Sequence, residues 1–321
     1  GVSAVQQAQM ATQEGANVRV CAVRGNFDDA QTGVKEIFAA CKDKDLHGAM
    51  LSSANSINIG RLAPQIIYYW YAWATLCRAG KINPTEPVNF SVPTGNFGDI
   101  LAGYFAKCMG LPVGKLLCAS NANNVLTEFL TTGRYDRRRP FYKTSSPSMD
   151  ILVSSNLERL LYALCGSDVE VAGYMQQLRE QGSYTVSDAL KAKIQEVFAG
   201  GFCNDIQTRE KIGHAWRDHR YLIDTHTAVA YHVLEDYRSE TGDATPAVVV
   251  STASPFKFCD QVLRGIGGTA DAFGPALIRR LSCETQIDAP APLTGLDARP
   301  VRFGGCVDKA QMLHTVDEFL K

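Results

Sequence analysis

Val92-Pro93-Thr94-Gly95-Asn96-Phe97-Gly98-Asp99 lies between a β-prone run over 88–92 and a helical pattern over about 100–109. Glycines at 95 and 98 let the backbone turn sharply and present consecutive N–H groups. The helix behind them adds unpaired N–H donors and the positive end of its dipole. A strand, a Gly-rich turn and a helix start, in that order, make a cradle for a phosphate. The loop lacks the Gly-Lys-Ser/Thr that would hold a nucleoside triphosphate and the Gly-x-Gly-x-x-Gly of a dinucleotide site. Taken alone, it reads equally as a tight turn with no ligand. Asp99 caps the helix in one reading and repels an inward phosphate in the other.

A second polar cluster, Asn55-Ser56-Ile57-Asn58-Ile59-Gly60-Arg61, precedes another helix start. Ser56 and Asn58 can donate hydrogen bonds, and Arg61 can grip an oxyanion with two N–H groups. The alternative is plain capping by an Asn, with Arg61 in water. Thr252 follows a strongly β-prone run over 247–250. Open α/β sheets bind ligands at the carboxyl ends of their strands, so Thr252 and the two glycines share that end if their strands are parallel. Otherwise Thr252 satisfies a local turn. His226 reads as a capping residue at a helix start, and His214 and His219 are poorly placed on one helix face to share a metal. The sequence has no Cys-x-x-Cys, no Gly-x-Ser-x-Gly elbow and no His-Glu-x-x-His.

The elements that position these residues alternate. Helices are expected over 3–14, 27–41, 59–79, 100–109, from 124, over 227–237 and over 308–320, with strands over 18–23, 46–51, 88–92, 116–119 and 247–250. Pro64 is tolerated only near the first turn of its helix. The alternation implies an α/β protein with a parallel sheet and flanking helices. It divides into an α/β region over 1–149, a helical insertion over 150–215 without strand patterns, and a return to α/β over 216–321 that ends in a C-terminal tail.

Composition limits the classes. With 321 residues, 45% of them hydrophobic, the chain is an ordinary globular one and not a disordered one. Lys plus Arg is 32 and Asp plus Glu is 33, a formal net charge of −1, so nothing draws the whole chain to nucleic acid or to an anionic membrane. Any anion site must be local. The longest mostly apolar stretch, 66–77, falls short of the ~18–20 residues that span a bilayer. The ten scattered cysteines read as small buried thiols in a reducing cytoplasm.

Five motifs in order make a more specific pattern. They are Ser53-Ala54-Asn55-Ser56-Ile57-Asn58-Ile59-Gly60-Arg61, Val92 to Asp99 as above, Ser146-Pro147-Ser148-Met149-Asp150-Ile151, His226-Thr227-Ala228-Val229-Ala230 and Thr252-Ala253-Ser254-Pro255-Phe256-Lys257-Phe258. In order and spacing, up to about residue 260, the chain resembles the threonine synthase family. The resemblance implies pyridoxal 5'-phosphate as cofactor, the fold type II of such enzymes, and conversion of O-phospho-L-homoserine and water to L-threonine and phosphate. It implies that Gly95, Asn96, Phe97, Gly98 and Asp99 hold the cofactor phosphate and that Thr252 meets the pyridine nitrogen. It implies that Ser56, Arg61 and Asn96 hold the substrate phosphate.

The family's Schiff-base lysine stands in a Phe-Lys-Asp context, followed by a Thr-Ser-Gly-Asp-Thr-Gly loop, and neither is in this sequence. Phe256-Lys257-Phe258 is a different motif. The expectation is therefore an N-terminally incomplete threonine synthase, its cofactor-binding region opening at residue 1, with no catalytic residue assigned in this chain and no activity alone. It is expected to be cytoplasmic, monomeric or homodimeric, with a small-molecule substrate, no metal, no nucleic acid and no membrane. The alternatives are a lysine-less homologue that binds phosphorylated ligands without turnover, and another enzyme of the same fold such as a serine/threonine dehydratase. Ser56 and Arg61 argue against the last, which needs no second phosphate site.

Overall fold

Val88–Pro93 (β1) and Val113–Ser120 (β2) are rich in Val, Leu and Phe and largely buried, the pattern of strands covered on both faces. They pair in parallel, with Phe198–Phe202 (β3) beside β2 and Ala247–Val249 (β4) beside β1, giving a parallel sheet in the order β3-β2-β1-β4. Ile66–Arg78 (α1), Gly98–Cys108 (α2), Val125–Thr132 (α3), Leu157–Cys165 (α4) and Thr225–Thr241 (α5) are the helices that matter to the site. α2 is the crossover from β1 to β2, and its Ile100, Leu101 and Ala102 are fully buried. The Tyr69 ring meets Phe90 edge-on at 5.0 Å, which joins α1 to the sheet.

This computed structural model describes residues 2–25, 27–42, 46 and 48–320. The elements above belong to one compact unit, 53–253, and the second unit joins 1–52 to 254–321. In the second, Ala4–Ala11 starts with a capping box, Ser3 Oγ accepting from Gln6 N and Gln6 Oε1 from Ser3 N. Ala22–Val23 pairs in parallel with Cys306–Val307, and Phe27–Ala40, Ala276–Thr285 and Met312–Leu320 are its longer helices. No helix of the described residues is long and apolar enough to cross a membrane.

The α/β architecture with a parallel sheet is as expected, but several elements differ. The helix expected over 59–79 is broken into Ile59–Leu62, a 3₁₀ turn Ala63–Gln65 and α1, because Pro64 has no N–H to continue the ladder. Of the strand expected over 46–51, His47 lies outside the described residues and the others form none. Nor is the segment 150–215 free of strands. It holds Ser183–Thr185, antiparallel to Arg134–Asp136, and β3 of the main sheet. The boundaries expected at 149/150 and 215/216 therefore fall inside the unit 53–253. Cys21, Cys108, Cys283 and Cys306 are exposed, so burial is not general among the thiols.

β3 escaped the sequence reading because Phe198-Ala199-Gly200-Gly201-Phe202 has the glycines of a turn, not of a strand. The structure shows why they are there. A Cβ on Gly200 would lie 3.0 Å from the Thr127 Cα of α3, and one on Gly201 would lie 2.7 Å from Val233 of α5. Helices press on both faces of this strand.

Two substitutions of the same chemistry should then have opposite signs. Gly173→Ala, in the helix Asp168–Gln181 with nothing within 4 Å of the new Cβ, is expected to stabilise by about 1 kcal/mol. Gly200→Ala, against backbone, is expected to destabilise by about 1–3 kcal/mol. Urea unfolding of both variants measures this, and equal signs would refute the packing argument.

Candidate functional site

Thr94 N donates to Ala119 O at 2.8 Å, and beyond it the chain leaves the carboxyl end of β1. Asn96 Oδ1 then accepts from Gly98 N at 2.9 Å and starts α2. The residue that takes the left-handed conformation is Phe97, at φ 65°, and neither glycine has a positive φ. The expectation that the glycines supply the sharp turn is corrected: what they supply is room. A Cβ on Gly95 would sit 3.0 Å from Met149 Cα, and one on Gly98 would sit 2.9 Å from Ser56 Cβ. The fully buried Phe97 ring packs on Phe198 with centroids 5.6 Å apart. Burying that side chain is worth about 1.5–3 kcal/mol and outweighs the roughly 1–2 kcal/mol of the left-handed backbone.

Among the described residues, no acceptor meets the N–H groups of Gly95, Asn96, Phe97, Asp99 or Ile100. This is the donor set that a phosphate needs at a helix N-terminus. Asp99 does not oppose it. Its carboxylate accepts from Tyr69 Oη at 3.0 Å and is half-buried against α1, facing neither of the roles read from sequence.

Ser56 is buried against Gly98, and Asn58 Oδ1 caps the short helix Ile59–Leu62 by accepting from Gly60 N at 2.9 Å. Arg61 is exposed. Its Nε donates to Ala54 O at 3.0 Å, its one hydrogen bond from the guanidinium among the described residues. Thr252 is exposed in the loop after β4. Because β4 runs parallel to β1, with Ser91 opposite Val249, that loop and the Gly95–Gly98 loop leave the same end of neighbouring strands.

The 144–151 loop is also held at this end of the sheet. Buried Asp150 accepts from Asn121 Nδ2 at 2.8 Å, Asn123 Nδ2 at 3.1 Å, Thr144 N at 3.0 Å and Thr144 Oγ1 at 2.7 Å. His226 Nε2 accepts from Ser148 N at 3.4 Å, while Nδ1 lies 3.0 Å from Asp224 Oδ1. Asp224 is the residue that caps α5, accepting from His226 N at 2.8 Å. Thr227 Oγ1 bonds Asp224 Oδ2 and lies 3.0 Å from Ser251 Oγ, next to Thr252.

The sequence reading missed Asn156 and Arg159. Asn156 Nδ2 donates to Ser56 Oγ and to Asn96 O, both at 2.9 Å, and Arg159 donates to Ser56 O at 2.6 Å and Ile57 O at 2.7 Å. The signal was an Asn at a helix start with an Arg one turn on, inside a segment read only as helical.

Comparison with known proteins places the chain among relatives of one family. Residues 227–317 match the family described as threonine synthase, C-terminal. Human threonine synthase-like 1 is 39% identical over 275 residues, which cover 83% of this chain and 36% of that protein. Threonine synthase of Pseudomonas aeruginosa is 41% identical over 268 residues, covering 83% of this chain and 55% of that protein. The crystal structure of PLP-bound threonine synthase from Brucella melitensis superposes with a TM-score of 0.79 at 37% identity, covering 99% of this chain and 62% of that one. The chain thus spans between 36% and 55% of the length of these curated relatives. The resemblance read from the five motifs extends through the fold.

Burial holds the Asp99 carboxyl above the usual carboxylate range, and the Tyr69 hydroxyl offsets this only in part. An acid with a higher pKa folded than unfolded binds more protons when folded. Its contribution to stability is therefore lost as pH rises from about 3.9 through the folded value. Asp99→Asn keeps an acceptor for Tyr69 and removes the ionisation. The variant is expected to be at least as stable as the parent at pH 7, with the difference shrinking toward pH 4. Urea unfolding across that range checks it. A variant destabilised more at pH 7 than at pH 4 would show that the charge is favourable.

Proposed function

We propose that this chain, a homologue of the threonine synthases over 83% of its length, is part of a pyridoxal-phosphate protein that converts O-phospho-L-homoserine and water to L-threonine and phosphate. The observation that supports this reading best is adjacency. The free N–H groups at the start of α2 lie beside Ser56, whose Cβ would be 2.9 Å from a Cβ on Gly98. Two phosphates, one on the cofactor and one on the substrate, require two such donor sets in one site.

In this reading Gly95, Asn96, Phe97, Gly98 and Asp99 hold the cofactor phosphate. The free amides fit that group, and Asp99 contributes its backbone N–H while its side chain faces Tyr69. Bound there, the cofactor supplies an electron sink for carbanion chemistry. Thr252 would meet the pyridine nitrogen with a neutral hydroxyl, which does not enforce a permanent positive charge on the ring. Ser56, Arg61 and the Asn96 side-chain amide would take the substrate phosphate. Arg61 is suited to this because its Nη groups have no partner among the described residues, and a fixed cation stabilises charge that grows on the departing phosphate. No residue of this chain is assigned a proton-transfer role. A cytoplasmic location and a monomeric or homodimeric state belong to the same reading.

The test is binding and turnover measured side by side. Pyridoxal phosphate is expected to quench the tryptophan fluorescence of the chain, and Gly98→Val to abolish the quenching, because the branched side chain would collide with Ser56 and block the cradle. Arg61→Ala is expected to leave cofactor binding near normal and to weaken O-phospho-L-homoserine binding about tenfold or more. Loss of cofactor binding in Arg61→Ala would put that residue on the wrong phosphate. Binding of both ligands with no threonine formed by the complete gene product would favour the non-catalytic homologue.

A further inference from the structure

Arg159 and Asn156 are not among the residues expected to touch a ligand, yet they control the polarity of one that is, Ser56. A guanidinium can only donate. Arg159 Nη1 bonds Asn156 Oδ1, so the oxygen of that amide must face Arg159 and its nitrogen must face the other way. There Asn156 Nδ2 meets Ser56 Oγ at 2.9 Å and Asn96 O at 2.9 Å, and Asn156 N adds a second bond to Asn96 O at 3.0 Å. Asn156 is fully buried, so water does not compete for these bonds.

The consequence lies in the hydrogens. A Ser56 hydroxyl that accepts from Asn156 has its own proton left to donate. Asn96 behaves likewise: its carbonyl is occupied by Asn156 and its Oδ1 by Gly98 N, so its Nδ2 is the group left for a ligand. Two side chains of ambiguous polarity are thereby set as donors, Ser56 by Asn156 and Asn96 by Gly98 N, which is what phosphoryl oxygens require. Arg159 also grips the carbonyls of Ser56 and Ile57, which fixes the main chain that carries Ser56.

We propose that Arg159 and Asn156 are positioning residues that set Ser56 Oγ as a hydrogen-bond donor to the phosphate of the substrate. The inference rests on the function proposed above, and the experiment separates the two. Binding of O-phospho-L-homoserine, and of inorganic phosphate as the minimal probe, is measured by calorimetry on the parent and on Ser56→Ala, Asn156→Ala and the double variant. Each single change is expected to weaken binding about tenfold or more. The two losses should overlap, so that the double variant binds little worse than either single one. Losses that multiply would mean that Asn156 acts elsewhere than through Ser56, and would overturn the inference. So would undiminished binding in Asn156→Ala. Arg159→Lys keeps the charge but loses the planar fork, and is expected to be weakened in binding while its thermal midpoint stays close to that of the parent. If the Asn156 variant does not fold, Arg159→Lys carries the test, and unaltered binding there overturns the inference. A parent that binds neither probe would overturn the functional reading and this inference with it.

Discussion

A single buried amide joins the two loops on which the site depends. Asn156 donates to Ser56 Oγ on one side and to the Asn96 carbonyl on the other, both at 2.9 Å. The Phe97 ring, buried on Phe198, anchors one of these loops by packing. Gly98 and Ser56 approach until a Cβ would overlap, and directed hydrogen bonds from Asn156 register the two loops at that distance. Each such bond has a net worth of about 1 kcal/mol, but leaving one buried partner unmade costs about 1–3 kcal/mol. The arrangement is stabilised less by the bonds than by the cost of every alternative.

The same physics recurs at the neighbouring loop. Asp150 is buried and its carboxyl is pushed above the usual range by lost hydration, with the Thr144 and Asn121 hydrogen bonds opposing the shift. Four donors around one carboxylate hold residues 144–150, in which Pro147–Met149 form a 3₁₀ turn. His226 and Asp224 tie this loop to the start of α5, and Thr227 carries the connection on to Ser251 at the end of β4. Loops from distant parts of the chain are thus fixed at one end of the sheet by buried polar contacts, while the helices and strands beneath are fixed by apolar burial. Networks of this kind specify one arrangement because a partly satisfied one is so unfavourable.

Much of this was legible in the residues themselves. The alternation of strands and helices over 88–120 follows from hydrophobic period, a local property. The five motifs and their order carried the resemblance to threonine synthases. Thr252 could be placed at a strand end because a run of valines is β-prone in any context.

What the sequence could not contain was contact. That Phe97 and not a glycine takes the positive φ was decided by the pocket its ring fills against Phe198. The Phe198–Phe202 strand, with two glycines, has no intrinsic preference to be one, and only helices packed on both faces make it so. Asp99 was ambiguous until Tyr69, thirty residues earlier in the chain, was found bonded to it. Asn156 meets Ser56 across a separation of a hundred residues. Local propensity is a property of a segment and can be read from it, whereas the partner of a buried polar group is chosen by the whole packed chain.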